Sequence, residues 1–425
     1  MLSLKKYFFL LCILPVTVTA QELSKLDLQQ AYDLAQKNYP AIKQKDLVRR
    51  SADLSIENLS KGYLPQIVVS GQATYQSDVT KISGSILPGV NIQSPTQDQY
   101  KIVADLNQVV FDGGMIRQEK VARQLTANVD EQQVEVEMYG IKDRINQFYF
   151  GILYLDEQMK QTLLVEDDIN TGIKTVGAQV NNGVAFKSNL NTLKAELLKT
   201  DQRNVELKAS RKGLVDAMAL FLNQRLSENI VLAQPAGLST QPTLEVQRPE
   251  LKLFDQQNLL FGQQDELIRS RLFPKVSLFA QGGYGKPGLN QLDKNFKGYY
   301  IGGVRFNWSL AAFYTQKRER ELAKVNQQSV DVQKETFLLN TNTQLKQQQA
   351  EIDKLQQLVS SDKEIIDLRK SVTDAAKAQL QNGVMTANDY LKEVNAEDQA
   401  RQSLITHRVQ LLQAQINYQT IAGNQ

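Results

Sequence analysis

The stretch PQIVVSGQATY at Pro65–Tyr75 recurs in altered form as PKVSLFAQGGY at Pro274–Tyr284. A further proline precedes each stretch by the same distance, at Pro40 and Pro249 (65 − 40 = 274 − 249 = 25). Self-similarity over such a distance indicates a duplicated architecture. We therefore interpret the chain as one structural unit written twice.

The repeated stretch alternates apolar and polar residues, which is the period-two pattern of a strand with two different faces. A second alternating stretch follows each copy, at 100–107 and 300–308. Each of these strands has about the 9–11 residues that a tilted strand needs to cross a bilayer. Aromatic residues near the strand ends are typical of an interfacial girdle: Tyr75, Tyr100, Tyr284, Tyr299 and Trp308. If the strands close a barrel, the alternation assigns these charged residues to its lumen: Lys101, Asp105, Lys275 and Arg305.

The first 20 residues have the features of a secretory signal peptide. Lys5 and Lys6 precede an apolar run over 7–18 and a small-residue cleavage site at 18–20. The run is too short for a membrane-spanning helix, which needs about 20 residues. Cys12 lies inside the run, so the mature chain has no cysteine. A lipid-modified Cys12 is the alternative, disfavoured by the bulky residue before it.

A soluble sheet with one hydrated face would fit each strand taken singly. Strands of bilayer length behind a secretion signal favour the membrane. Four strands alone cannot close a membrane barrel, because known barrels have at least about eight strands and open edges leave backbone groups unpaired in lipid. Membrane strands in this chain therefore predict an oligomer.

Residues 96–234 and 288–425 contain no proline, which permits long uninterrupted helices. Apolar residues recur every seven positions between Leu338 and Ile366, as in a coiled-coil seam. In each copy the helical pattern continues for about 65 residues, or about 100 Å of helix. It breaks at Asn-Gly-Val, at 182–184 and 382–384, and then resumes. Such a break indicates a helix end with a left-handed turn, so we predict two very long helical hairpins.

Composition argues against catalysis and against nucleic acid binding. Without Lys5 and Lys6 the chain has 47 basic (49 − 2) and 46 acidic residues, and no clustered basic face. The only histidine is His407, which we expect to be solvated on a helix, as we expect of the carboxylates of Asp167 and Asp168. We therefore predict that the chain is not an enzyme and holds no cofactor and no metal.

Several short motifs, in their order and spacing, resemble the TolC-like outer-membrane efflux protein family across the whole mature chain. Residues 28–40 resemble the family's helical start, and residues 62–65 resemble its passage into the first barrel strand. Residues 111–114 resemble the turn into the long helix. The two hairpin tips correspond to 183–184 and 383–384, and the closing helix corresponds to 421–423. No one of these motifs is specific by itself.

The resemblance implies a mainly α fold with a β-barrel part. Duplicated coiled-coil hairpins would form a periplasmic tunnel, and four transmembrane strands per protomer would close a barrel of 12 strands (3 × 4) in a homotrimer. The implied partners are a periplasmic membrane-fusion adaptor, an inner-membrane pump (RND, ABC or similar) and outer-membrane lipid. The implied location is the outer membrane of a Gram-negative-type cell, with the tunnel in the periplasm.

The predicted domains follow the repeat. They are the signal peptide (1–20), N-terminal periplasmic helices (21–63), the first β-hairpin (64–111), the first long helical hairpin (112–224), an inter-repeat linker (225–247), the helix leading into the second repeat (248–272), the second β-hairpin (273–310) and the second long helical hairpin (311–425).

The resemblance assigns adaptor docking to the helix tips, at Gly183, Val184, Asn189, Gly383, Val384 and Asp389. Asp389 lies six positions after Gly383, as in the family pattern, whereas the first copy has Asn189. Some members carry a further acidic residue, nine positions after the second glycine, in a selectivity ring. Lys392 stands there, so Asp389 and Lys392 are a candidate aperture gate without an aspartate ring. A simple solvated pair at helical spacing is the alternative.

The leading functional hypothesis is a passive exit duct for multidrug or small-molecule efflux. Within that class, type I protein secretion and metal efflux are alternatives. In a different class, a soluble periplasmic coiled-coil adaptor is the alternative, and it would need sheets that never enter lipid. A general porin would need many more strands per chain and no long helices.

Overall fold

The computed structural model describes residues 22–80, 94–235 and 245–423. The predicted signal peptide and Cys12 lie outside these residues. The elements, in chain order, are β1 (Leu23–Leu26), α1 (Leu28–Asn38), α2 (Lys43–Ser60), β2 (Gln66–Tyr75), β3 (Asp98–Phe111), α3 (Met115–Asn181), α4 (Lys187–Leu222), β4 (Leu226–Leu232), α5 (Pro249–Ser270), β5 (Lys275–Lys286), β6 (Lys297–Asn307), α6 (Ala312–Gln381) and α7 (Ala387–Ala422).

Helices α3 and α6 are the long arms that the proline-free ranges predict. They have 67 and 70 residues, so each is about 100 Å long at about 1.5 Å per residue. Each folds back into a helix of 36 residues, α4 or α7. Along α6 the predicted seam is buried at Leu345, Ile352 and Ile366 while most other positions are exposed. The mainly α prediction with two duplicated helical hairpins is confirmed.

The turn from β3 into α3 explains the Asp-Gly-Gly motif at 112–114. Gly113 and Gly114 have φ angles of +75° and +82°, which residues other than glycine rarely adopt. The buried Asp112 carboxylate accepts hydrogen bonds from the backbone N–H of Gly114 (2.9 Å) and of Ile116 (2.7 Å). It thereby satisfies donors at the helix start that have no partner within the helix.

Four strands form one antiparallel sheet in the order β2–β3–β5–β6. Each predicted β-hairpin supplies two neighbours, and the pairing of β3 with β5 joins the two repeats within a single sheet. Strands β2 and β6 lie at its two edges and have no further partner among the described residues. The helices all lie beyond one end of the sheet, because β2 and β5 follow helices while β3 and β6 precede them.

A second, parallel pair of strands was not predicted from the sequence. β1 pairs with β4, and these strands lie in the ranges predicted to be N-terminal helices (21–63) and the inter-repeat linker (225–247). The main hydrophobic core surrounds this pair, and the fully buried Tyr149 of α3 connects its two segments. The Tyr149 hydroxyl donates to the Ala233 carbonyl at 2.5 Å and lies 3.2 Å from the Leu26 carbonyl. Burial raises the pKa of this hydroxyl, so it remains a donor.

The structure corrects the expectation that His407 is a solvated helix residue. His407 lies on α7 and is half-buried, with its Nδ1 2.6 Å from a carboxylate oxygen of Asp362 on α6. Asp362 is itself buried. The two side chains therefore form a polar contact inside the α6–α7 hairpin, which spacing along a single helix cannot reveal.

Candidate functional site: the helix tips and the two faces of the sheet

The first tip ends α3 through Gly183, whose φ is +73°. The N–H of Val184 donates to the Gln179 carbonyl at 2.8 Å, and the N–H of Gly183 donates to the Val180 carbonyl at 3.1 Å. These two bonds define a Schellman motif, which satisfies carbonyls at the end of the helix. The chain then turns directly into α4.

The second tip repeats this geometry at the end of α6. Gly383 has a φ of +72°, and its N–H donates to the Leu380 carbonyl at 3.1 Å. The N–H of Val384 donates to the Gln379 carbonyl at 2.9 Å. The equal geometry follows from the shared Asn-Gly-Val sequence.

The two tips differ where the second helix of each hairpin begins. At the start of α7 the Thr386 hydroxyl oxygen accepts from the Asp389 N–H at 3.2 Å. Lys392 Nζ lies 2.9 Å from Asp389 Oδ1, so the candidate gate residues form an exposed ion pair. The hydrogen bonds from Lys392 and Thr386 lower the pKa of Asp389. Asn189 occupies the equivalent position of α4.

Exposed apolar side chains cover both tips. Val184 and Val384 are 72% and 79% exposed, and Phe186, the residue before α4, is 80% exposed. Phe186 was missed in the sequence prediction. The sequence does hint at it, because Phe186 is a large aromatic residue at the N-cap of α4, where small polar residues are usual.

The tips are held together as one body. The Gln179 side-chain amide donates to the Leu380 carbonyl at 2.7 Å, which connects the end of α3 to the end of α6. A buried apolar cluster from α3, α4, α6 and α7 lies directly behind the tips. Its largest member is Tyr390 of α7, which is fully buried. A displacement of either tip would therefore be transmitted to both hairpins.

The register of the four-stranded sheet separates an apolar from a polar face. Because opposed residues lie on the same face, the pairs Val69 with Ala104 and Leu278 with Val304 belong to the apolar face. This face also carries Ile67, Ile102, Leu106, Val276, Phe306 and, towards the strand ends away from the helices, Tyr75, Tyr100, Tyr284 and Tyr300.

The four residues predicted for a barrel lumen all lie on the opposite, polar face. Lys101 and Asp105 oppose Gly285 and Gln281, and Lys275 and Arg305 oppose Asn307 and Ser277. The amide of Gln281 donates to Asp105 at 2.6 Å.

Two of the predicted interface aromatics stand apart from the rest. Tyr299 lies on the polar face, because it opposes Gly283. A Cβ at Gly283 would come within 2.3 Å of the Tyr299 ring, so the ring lies over the glycine. Grouping Tyr299 with the aromatics of the apolar face was therefore wrong. Trp308 follows β6 on the helical side, where its Nε1 donates to the Leu272 carbonyl at 2.9 Å.

Within the described ranges, no helix is long and apolar enough to cross a membrane. The same ranges hold no group of three or more His, Cys, Asp or Glu side chains arranged to bind a metal ion.

The sequence matches the family model described as "Outer membrane efflux protein" over residues 31–223 and 243–424. These two ranges correspond to the two repeats. A search of curated proteins finds no match.

Solved outer-membrane channels share the fold over nearly the whole chain. CusC superposes with a TM-score of 0.69 at 14% identity, covering 95% of this chain and 94% of its own. The Campylobacter jejuni channel CmeC gives 0.63 at 16% identity, with coverages of 93% and 85%. The open state of the Neisseria gonorrhoeae channel MtrE gives 0.64 at 17% identity, with coverages of 93% and 89%.

Proposed function

The chain belongs to the outer membrane efflux protein family, and we propose that it is the outer-membrane duct of a tripartite export system. Membership of this family confirms the resemblance stated from the sequence, the outer-membrane location and the absence of enzymatic activity. The finer parts of the proposal are a homotrimer, docking of a periplasmic adaptor at the helix tips, and small-molecule export.

The observation that carries the proposal is the two-faced sheet, whose edge strands β2 and β6 have no further strand partner in the described part of the chain. Its strands have 10 to 14 residues, enough to cross a bilayer at a tilt. On the apolar face, Ile67, Val69 and Val304 are each more than 60% exposed in a single copy. Free edges in lipid would leave the backbone groups of β2 and β6 unpaired. Pairing β2 of one copy with β6 of the next, around three copies, would close the sheet and place the apolar face outward.

The helices also present surface suited to further copies of the chain. On α6, Val325, Val332 and Leu339 are exposed at intervals of seven, and on α4, Leu198 and Val205 are exposed with the same interval. A seven-residue interval keeps a stripe on one side of a supercoiled helix. We propose that these stripes pack between protomers in the tunnel.

Adaptor docking is proposed from the chemistry of the tips. Exposed apolar side chains at Val184, Phe186 and Val384 surround turns that have open space. Apolar residues at the end of a rigid helical body suit a groove or tip on a protein partner. The energy for transport would come from the inner-membrane pump joined to that adaptor.

Small molecules are the proposed cargo. The polar face of the sheet carries single charged and amide side chains, such as Lys101 and Gln72, spaced along the strands. Such a surface fits a duct through which solutes pass without being held.

Paired substitutions on neighbouring residues of β2 test the membrane assignment. Val69 lies on the apolar face and Ser70 on the polar face. A lysine near the bilayer midplane costs about 2–4 kcal/mol on a lipid-facing surface. Val69→Lys should therefore deplete the protein from the outer-membrane fraction, whereas Ser70→Lys should leave a detergent-extracted trimer at its normal level.

Fractionation and sizing of the unmodified protein complete the test. A trimer in the outer-membrane fraction is the expected result. A detergent-free monomer or dimer in the periplasmic fraction, with Val69→Lys as abundant as Ser70→Lys, would overturn the proposal and favour the soluble coiled-coil alternative.

A further inference from the structure

The polar face of the sheet carries an excess of positive charge. Its charged residues are Lys101, Asp105, Lys275, Lys297 and Arg305. Lys297 is neutralised by Asp293, 2.5 Å away in the connection between β5 and β6. The remaining three cations and one carboxylate leave each copy with a net charge of +2 on this face (3 − 1).

Two of these cations lie together where the sheet meets the helices. Lys275 is the first residue of β5, and Arg305 is two residues before the end of β6. Since Lys275 opposes Asn307 and Arg305 opposes Ser277, the two side chains are diagonal neighbours on one face. Both are exposed, and no described carboxylate pairs with either of them, in contrast to Lys286 and Lys297 of the same sheet.

Arg305 is also held in position. Its guanidinium lies over the ring of Phe279, 4.8 Å from the ring centroid. The Phe279 ring in turn lies against Gly303, where an added Cβ would be 3.1 Å from Cε1. A cation on an aromatic face is attracted to it without losing its charge. The charge of Arg305 is thus fixed on the polar face rather than free to swing away.

Like charges on neighbouring strands disfavour pairing of those strands, so this arrangement is unfavourable for the sheet itself. We propose that Lys275 and Arg305 make the junction of barrel and tunnel selective for anions, so that the duct favours small anionic cargo. This inference rests on the proposed trimeric duct. Three copies would place six such cations (3 × 2) around the passage.

The effect has a defined range and salt dependence. A passage lined by one sign of charge raises the local concentration of the opposite ion. Screening limits this to about 10 Å at 0.1 M salt and to about 3 Å at 1 M. Selectivity that originates from the cation pair should therefore be strong at low salt and weaken at high salt.

The experiment is a reversal-potential measurement on the purified full chain reconstituted in planar lipid bilayers under a KCl gradient. The unmodified channel should pass chloride in preference to potassium at about 0.1 M salt and lose much of that preference at about 1 M. Lys275→Gln combined with Arg305→Gln should lower the chloride-to-potassium permeability ratio by about threefold or more. Both residues are exposed, so the changes should leave folding intact.

Lys286→Gln with Lys61→Gln is the matched control. It removes the same total charge, but Lys286 lies on the apolar face in an ion pair with Asp98, and Lys61 lies before β2 in an ion pair with Glu57. The control should keep the ratio of the unmodified channel. An equal fall in the control, or a potassium preference of the unmodified channel, would overturn the inference while the duct stands. Failure of the protein to form any channel would instead remove the proposed function, and the inference with it.

Discussion

Gly183 and Gly383, 200 positions apart in the chain, hold φ angles that differ by one degree, +73° and +72°. A Cβ added at either glycine would meet nothing within 4 Å. The glycines are therefore required by the left-handed backbone of the turn and not by crowding. The space in front of both turns is open to a partner.

Gly383→Trp should abolish export while the protein still assembles in the outer membrane. A Cβ at this position would meet nothing within 4 Å, and the left-handed strain costs only about 1–2 kcal/mol. The bulky ring would obstruct docking at the tip. The measurement is export-dependent resistance in a strain lacking its own duct, together with trimer abundance in the outer membrane. Gly383→Asn is the control, since Asn tolerates this conformation. Wild-type resistance in the Gly383→Trp strain would remove the docking proposal.

Phe186→Ser should weaken co-purification of the periplasmic adaptor by about tenfold, which corresponds to about 1.4 kcal/mol. The reason is that an 80% exposed aromatic side chain at the tip gains burial only when a partner covers it. Lys187→Ser, at the neighbouring exposed polar position, should have little effect. Equal recoveries of adaptor from the two variants would show that the apolar surface of the first tip is not a docking site.

Tyr390→Ala should destabilise the tip end of the bundle much more than Tyr390→Phe. The Tyr390 ring is fully buried between helices and lies against Gly172, where a Cβ would be 3.0 Å from Cε1. Removing the ring leaves a cavity and should lower the free energy of unfolding by about 3–5 kcal/mol. Tyr390→Phe loses only the 3.2 Å hydrogen bond to the Asp168 carbonyl, worth about 1 kcal/mol. Thermal unfolding of the detergent-solubilised protein, followed by circular dichroism, compares the two variants. Equal Tm values would contradict the packing described for this ring.

Asp168→Asn should raise the Tm at neutral pH and leave it unchanged in strong acid. Burial raises the pKa of Asp168 above its ordinary value of 3.8, although Lys377 lies 3.7 Å away and acts in the opposite direction. A raised folded-state pKa means that the folded protein binds the proton more tightly than the unfolded chain. Stability from this group is therefore complete below pH 3.8 and is lost as the pH rises through the folded-state pKa.

The check on Asp168 is a series of unfolding curves from acid to neutral pH. The difference in Tm between Asp168→Asn and the unmodified protein should grow as the pH rises. The exposed neighbour Asp167, changed to Asn, is the control. A Tm difference that is constant with pH would mean that the carboxylate does not titrate in this way. The half-buried position of Asp168 also corrects the expectation that both carboxylates lie on a solvated face.

The two faces of the strands in the four-stranded sheet could be predicted from the sequence because they depend on a local pattern. Alternation along β5, from Lys275 to Tyr284, already assigns each residue to one of two faces. The face of Tyr299 could not be predicted in this way, because Tyr299 and Tyr300 are adjacent and one of the two must lie on each face. Only the pairing of Tyr299 with Gly283 on β5 shows that the Tyr299 ring lies on the polar face.

Contacts between distant parts of the chain were beyond the reach of the sequence. The pairing of β1 with β4 spans about 200 residues, and the contact of His407 with Asp362 depends on how α7 lies against α6. Helical spacing states which residues share a face of one helix but not what the neighbouring helix places opposite.

The duplication, the long helices, their Asn-Gly-Val turns and the two faces of each strand could all be predicted from the amino-acid sequence alone. All of these follow from backbone preferences and from periodicities within about ten residues. The joining of the strands of both repeats in one sheet, with β2 and β6 at its edges among the described residues, is visible only in the folded structure. The same holds for the neighbouring positions of Lys275 and Arg305, which pair with no carboxylate among the residues that the structure describes. The physical reason is that backbone conformation is local, whereas strand order and charge environment depend on how distant segments pack.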